Sequence, residues 1–472
     1  MGVGLLRSTN ETYESRRRKG GNILLTYLKK HLPHWRWKTM ATGLERIAEL
    51  VRTKPKQKLQ TLAHLINVEN LKDSHRRLDG SKAVGVDKKT KAGYDEELEM
   101  NLAELVKRMK KQEYKPQPAK RVYIPKVGSD KMRPLGIPSY EDKLVQNIIS
   151  QILNVIYEPV FLDFSYGFRP KRSCHDAIKE LNKIIVNHKT SYIVDADIKG
   201  FFDNVNHEWM MKFVEERIED PNLLRLIKRF LKAGVMEEGK YSDTDKGTPQ
   251  GGLVSPILAN IYLHYSLDLW FEKIIKKRCS GEAHIMRYAD DFVCCFQNKY
   301  EAEAFYKDLI ERLKKFGLEI EESKTKIIEF GRFAETNRKK NGDSKPETFE
   351  FLGFTHICGK TLKGKFAVQR ITSKKKLKAK KQAVKSWLKE NMHIKIKMLI
   401  EKLNQKLVGH YRYYGVTGNS VHMGKFRYYV VEQIYKIINR RSQRNKYSWD
   451  EFKRRILDKF PVKYPKIYVR MY

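Results

Sequence analysis

Paired cysteines, long apolar runs and acidic residues are what this 472-residue sequence has least of. Its five cysteines, Cys174, Cys279, Cys294, Cys295 and Cys358, form no CxxC pair and no His–Cys cluster at zinc spacing, which excludes a disulfide framework and a zinc-finger module. They read as buried thiols in a reducing compartment, with Cys294-Cys295 as core filler. No stretch of about 18 apolar residues occurs, so nothing is expected to span a membrane. Met1 to Leu6, followed by Arg7, is too short and too weakly apolar for a secretory signal. Arg16-Arg17-Arg18-Lys19 could belong to a transit sequence, but Glu11 and Glu14 argue against one, and a cytoplasmic protein is expected. The shortage of acids is the most informative absence. Against 95 Lys+Arg stand 56 Asp+Glu, a net charge of +39, far from what a small-metabolite enzyme needs and suited to a polyanion partner. A disordered polycation is excluded, because 41% of residues are hydrophobic and the apolar positions are periodic. The length predicts two or three domains.

Where acids do occur, their placement is unusual. Tyr288-Ala289-Asp290-Asp291 sits between Ile285-Met286 and Phe292-Val293-Cys294-Cys295-Phe296, which predicts a β-hairpin with two carboxylates at its tip. Adjacent aspartates beside a core repel one another and cost desolvation, so a divalent cation is the natural occupant of the gap. Alone, the pair could equally be a solvated turn. A second apolar strand, Ser191 to Ile198, carries Asp195 and Asp197 on one face with Ile193, and Asp197 supplies a third candidate metal ligand. Asp203, ahead of a helix from about His207, reads as an N-cap more readily than as a catalytic group.

Other stretches frame this centre. Residues 1–58 form a basic extension with Trp35 and Trp37 among His34, Arg36 and Lys38, either a nucleic-acid contact or a partly ordered tail. Val122 to Gly128 and Lys131 to Pro138 predict two strands around a turn, across which Lys126 and Arg133 could aim at one anion or simply be solvated. Asp163 to Pro170 is an aromatic, basic loop that fits either a substrate contact or a packed connector. Gly247-Thr248-Pro249-Gln250-Gly251-Gly252 precedes a long helix, with Ser255 placed as N-cap and Pro256 at the first helical position. Residues 331–346 read as a loop, and Phe349 to Phe354 as a strand. From Thr372 the composition turns helical and basic, with 27 Lys+Arg against 6 acids to Tyr472 and aromatics interleaved, which favours a nucleic-acid surface over a solvated face.

Taken in order, the Asp-bearing strand, Gly-rich loop and helix, Asp-Asp hairpin, Lys324-Thr325 strand and Phe351-Leu352-Gly353 strand resemble the palm of a right-handed polymerase, and in detail the reverse transcriptases of bacterial group II introns. The resemblance runs from about residue 59 to the end. It implies an α+β fold: fingers and an antiparallel palm sheet over 59–371, then an α-helical thumb or maturase domain over 372–472. It implies that Asp197, Asp290 and Asp291, with the Ile198 carbonyl, hold two Mg²⁺ ions, with Mn²⁺ a possible substitute. Lys126 and Arg133 would clamp a triphosphate, Phe202 would exclude a 2′-hydroxyl and so select dNTPs, and Gln250 and Gly251 would line the nucleotide and template site. Lys324 would protonate pyrophosphate, and Phe351, Leu352 and Gly353 would form the primer grip. Leu403-Asn404 and Gly409 to Tyr414 resemble the family's thumb, so Arg412, Tyr413, Lys374, Lys375 and Lys376 are expected to contact RNA.

The implied function is RNA-directed DNA synthesis on an RNA template with a DNA or RNA primer, together with binding of group II intron RNA to assist splicing and mobility. The family's DNA-binding and His-Asn-His endonuclease modules are not expected, since the stretch to Tyr472 has no paired His or CxxC ligands, and an RNase H domain is not expected because that stretch is acid-poor. A non-catalytic splicing cofactor would predict decay of the carboxylates, which are present. An RNA-templated RNA polymerase is disfavoured by Phe202, and a non-intron bacterial reverse transcriptase by the thumb match. Nothing in the sequence sets an oligomeric state.

Overall fold

The computed structural model describes residues 40–125, 132–248, 250–343, 345–361, 363–441 and 446–471. Lys126, Pro249, Trp35 and Trp37 lie outside them. The first helix, Met40–Thr53, buries Leu44, Ile47 and Val51 in the main core, so packing begins well before the expected boundary at residue 58. Asn67 caps Val68–Arg77, and Ser139 caps Tyr140–Tyr157, whose Leu144, Val145, Ile148, Ile149, Ile152 and Leu153 are fully buried.

β1 (Ala119–Pro125) and β2 (Met132–Ile137) pair antiparallel with Ile124 opposite Arg133, as the expected fingers hairpin requires. β3 (Tyr192–Ala196) follows, then a small hairpin of β4 (Val235–Glu237) and β5 (Lys240–Ser242), of which β4 joins β1 in parallel. β6 (Ala283–Tyr288), β7 (Asp291–Phe296) and β8 (Lys326–Glu329) combine with β3 in a four-stranded antiparallel sheet of order β6-β7-β3-β8. Its two faces separate by simple alternation. Phe292, Cys294 and Phe296 enter the main core, whereas Val293 and Cys295 join Ile193, Met286 and Ile328 in a second cluster behind the sheet. Both buried cysteines are therefore core filler, on opposite faces. β9 (Phe349–Phe351), β10 (Phe354–Lys360) and β11 (Phe366–Thr372) form a third sheet that extends the second cluster through Phe349, Phe351 and Val368.

Beyond Thr372 the chain is helical. Lys374–Glu390, Ile396–Tyr414 and Ser420–Ile438 enclose their own core, built around Leu388, Leu403, Leu407, Phe426 and Val430. The α+β architecture with a helical C-terminal unit is as expected.

Local differences have local causes. The helix after the Gly-rich loop begins at Ser255 with Val254 at the cap position, so Ser255 is inside the helix and not its N-cap; Pro256 stays within the first turn. Its continuation contains two π turns, His264–Asp268 and Phe271–Ile275, which apolar periodicity cannot reveal. Asn206, not Asp203, caps His207–Glu215, accepting from the Trp209 amide. Within the expected loop 331–346, Ala334–Lys340 is a helix, and its Ala334 is buried.

Candidate active site

Tyr288 pairs with Asp291 across a two-residue turn in which Ala289 takes φ +59°, so the hairpin ends on Ala289-Asp290. An alanine at positive φ is unfavourable unless its surroundings fix it. Arg287, fully buried, does so from beneath. Its guanidinium donates to the Ala289 carbonyl at 2.9 Å, to Asn260 Oδ1 at 3.0 Å, and through Nε and Nη2 to Asp268 at 2.7 and 2.5 Å. Asn260 in turn donates to the Gly167 carbonyl at 2.8 Å, and a Cβ at Gly167 would lie 2.2 Å from the Ala289 nitrogen. The aromatic, basic loop is thus a packed connector that clamps the turn, and Gly167 is needed for close approach. The π turn places Asp268 against Arg287. Burial pushes the Asp268 carboxyl up, and Arg287 opposes that rise.

The register of β3 on β7 puts Ala196 opposite Phe292, and continuing it sets Asp197 opposite Asp291. Asp195 falls on the same face as Asp197 by alternation, as read from the sequence, but its share in the acid centre was missed. Burial and then Asp197 push the Asp195 carboxyl up to about 7. Asp291 is reached by solvent at the open cleft, yet protein surrounds it on its other sides, and we read it as the cleft floor. That enclosure, followed by Asp195, Asp290 and Asp197, pushes it up to about 8, while the Leu352 amide, donating to it, opposes the rise. Asp290 is raised chiefly by burial and also by Asp197, with Arg133 opposing. Arg133 therefore stands within electrostatic reach of the hairpin tip. Lys126, its expected partner, lies outside the described residues.

Lys324 Nζ meets Asp197 Oδ2 at 2.5 Å. Ligand atoms of Asp197, Asp290 and Asp291 do not all come within 4.8 Å of one another, consistent with like-charge repulsion and with Lys324 holding Asp197 to its side. Asp195, Asp290 and Asp291, each pushed up in part by a neighbouring aspartate, make with Asp197 an oxygen donor set that fits hard divalent cations. Beside Asp197, ladder bonds run from Glu321 N to Asp197 O at 2.8 Å and from Lys199 N to Glu319 O at 2.9 Å, so the Ile198 carbonyl takes no ladder bond.

Phe202 and Gln250 share a cavity of about 120 Å³ with Gly136 and Thr248. Thr248 N donates to the Phe202 carbonyl at 2.8 Å and Gly136 N to the Gln250 carbonyl at 2.6 Å, which fastens the Gly-rich loop between Phe202 and β2. A Cβ on Gly251 would lie 2.6 Å from the Gly136 oxygen, so only glycine allows this approach.

Leu352 and Gly353 form the turn between β9 and β10, at φ +50° and +77°. Phe351 is buried behind the sheet, Leu352 links to Asp291, and the Leu352 carbonyl accepts from Tyr413 Oη at 2.9 Å. Tyr413 also stacks on Phe354, and its own carbonyl lies 2.7 Å from His175 Nε2. It is a joint between the helical unit and the sheets rather than an exposed RNA contact, because its ring, hydroxyl and carbonyl are all engaged. Arg412, Lys374, Lys375 and Lys376 are exposed. The three lysines occupy the first turn of their helix, where the helix dipole disfavours cations, so the local cost points to an anionic partner.

The model of the family described as "Reverse transcriptase (RNA-dependent DNA polymerase)" matches residues 124–356. Protein YkfC of Escherichia coli (strain K12) is 31% identical over 322 residues, covering 61% of this chain and 84% of that protein. The chain belongs to the reverse transcriptase family. Group II intron-encoded protein LtrA of Lactococcus lactis subsp. cremoris is 38% identical over 322 residues, covering 68% of this chain and 49% of LtrA. The chain thus spans about half the length of LtrA. Among solved structures, telomerase from Candida albicans is similar at a TM-score of 0.42 and 12% identity, over 78% of this chain and 65% of that one. Reverse transcriptases as a family use divalent metal ions.

Proposed function

We propose that this chain copies RNA into DNA and, as a maturase, binds group II intron RNA to assist its splicing and mobility. The observation that carries the reading is the convergence of Asp195, Asp197, Asp290 and Asp291 at the end of one sheet, with Lys324 and Arg133 beside them.

In this reading Asp197, Asp290 and Asp291, with the Ile198 carbonyl, hold two Mg²⁺ ions, for which Mn²⁺ can substitute. Held there, such ions would supply Lewis-acid activation of the primer 3′-hydroxyl and charge neutralisation at the triphosphate. Asp195 reinforces the local negative field. Arg133, with Lys126, binds the incoming dNTP phosphates. Phe202 closes the floor of the sugar pocket and excludes a 2′-hydroxyl, while Gln250 and Gly251 line the nucleotide and template. Lys324 delivers a proton to the departing pyrophosphate from its place on Asp197. Leu352 and Gly353 seat the primer end at their turn, anchored from behind by buried Phe351, and the Leu352 amide ties that turn to Asp291. The exposed lysines of Lys374–Glu390 and Arg412 take the RNA backbone.

Extension of a primed RNA template by the wild type but not by the Asp290→Ala/Asp291→Ala variant tests the proposal. Equal extension by the two proteins would overturn it.

A further inference from the structure

At the far end of β6 from the catalytic turn lies a second cluster of metal-ligating groups. His188 ends the helix Cys174–Asn187, Glu282 precedes β6, and His284 is its second residue. Glu282 Oε2 lies 2.9 Å from His188 Nδ1 and 3.5 Å from His284 Nε2, and the three ligand atoms all fall within 4.8 Å of one another. The imidazole centroids are 4.5 Å apart with their planes inclined at 55°. Four residues of extended strand separate His284 from Tyr288, roughly 13 Å, so this cluster is distinct from the carboxylate centre.

We propose that His188, Glu282 and His284 form a binding site for a transition-metal dication of the Zn²⁺ type. A tetrahedral ion with bonds of about 2.0–2.1 Å sets its ligand atoms about 3.3 Å apart, and the two observed spacings bracket that value. Two imidazoles and one carboxylate are a recurrent zinc donor set and a poor one for Mg²⁺, which separates this site chemically from the catalytic one.

The donors are also prepared for the role. Burial, and then His188, hold the His284 imidazole below its ordinary value, which keeps it in the neutral form that binds metal. Glu282 is held below the usual carboxylate range: burial opposes this, but the Lys189 amide and both histidines outweigh it. Backbone bonds fix Glu282 in place, from Gln297 N to its carbonyl at 3.0 Å and from its own amide to Gln297 Oε1 at 3.2 Å. The nearby Lys276 is paired with Glu272 at 3.1 Å. His188 is exposed, so water can complete the coordination from the solvent side. The ion would staple the C-terminal end of the helix to the edge strand of the sheet, joining residues 94 apart in sequence.

The test uses the full chain carrying Asp290→Ala/Asp291→Ala, which removes catalytic carboxylates as competing ligands. Zn²⁺ is titrated against a chromophoric chelator at neutral pH, and Co²⁺ is followed by its visible absorption. One Zn²⁺ per chain is expected with a Kd of about 10 µM or tighter. His188→Ala and Glu282→Gln should each weaken it at least about 10-fold and abolish the Co²⁺ bands. Affinity weaker than about 10 µM, or binding that survives both substitutions, would overturn the site. His188 is exposed, so its replacement leaves the core intact.

Discussion

Arg287 is the buried group whose removal separates folding from catalysis most cleanly. It and Asp268 are both fully buried, and they share two charge-assisted bonds, at 2.7 and 2.5 Å. Asp268→Leu strands a guanidinium with only two neutral acceptors, Asn260 Oδ1 and the Ala289 carbonyl, and should cost about 3–5 kcal/mol. Arg287→Met should cost a similar amount, because it leaves Asp268 buried without its partner. The double variant removes both charges and should lose only about 0–2 kcal/mol, a coupling of at least about 4 kcal/mol. Its activity should not recover with its stability. Without Arg287 no donor holds the Ala289 carbonyl, and the turn presenting Asp290 relaxes, which we expect to lower the extension rate by about 10²-fold. Urea midpoints together with single-turnover extension measure both quantities. A double variant that is stable and fully active would refute the positioning role; a stable Asp268→Leu variant would refute the buried-pair reading.

The carboxylate centre should also show itself through pH. Asp195 and Asp291 ionise near 3.8 when unfolded but at about 7 and about 8 when folded, so the folded state holds more protons in that interval. Stability without divalent ions should therefore fall as pH rises from about 4 to 8, and Asp291→Asn should flatten the fall. Protons and cations compete for the same oxygens, so the Mg²⁺ concentration for half-maximal extension should drop between pH 6.5 and 8.5; a pH-independent requirement would contradict the assignment. Phe202→Ala, which opens the cavity shared with Gln250, should reduce the preference for dNTP over rNTP by at least about 10-fold, and unchanged discrimination would dismiss Phe202 as the gate.

The hairpin was legible because β-favouring residues flank a two-residue turn, and the alternation of β3 and β7 follows from their periodicity alone. What the sequence could not display are contacts between residues distant along the chain. Lys324 and Asp197 are 127 positions apart, yet their contact decides where the lysine acts. Arg287 and Asp268 meet only because a π turn redirects the helix, and hydrophobic periodicity does not encode such a turn. Alternation shows which face of β3 carries Asp195, but a lone strand carboxylate carries no mark of what opposes it. Tyr413, expected from the thumb resemblance to contact RNA, is held by Leu352, Phe354 and His175. The helix Met40–Thr53 falls within the basic stretch 1–58, yet Leu44, Ile47 and Val51 reach the core.

DNA synthesis on RNA is assigned to the carboxylate end of the β6-β7-β3-β8 sheet. It is tested most directly by supplying a primed RNA template, Mg²⁺ and either dNTPs or rNTPs to the wild type and to the Asp290→Ala/Asp291→Ala variant, with RNA binding by each measured across a salt series. dNTP extension by the wild type alone is expected, with RNA affinity in both proteins falling steeply with salt. Salt-sensitive binding without extension by either protein would contradict it and leave a splicing cofactor in a polymerase scaffold.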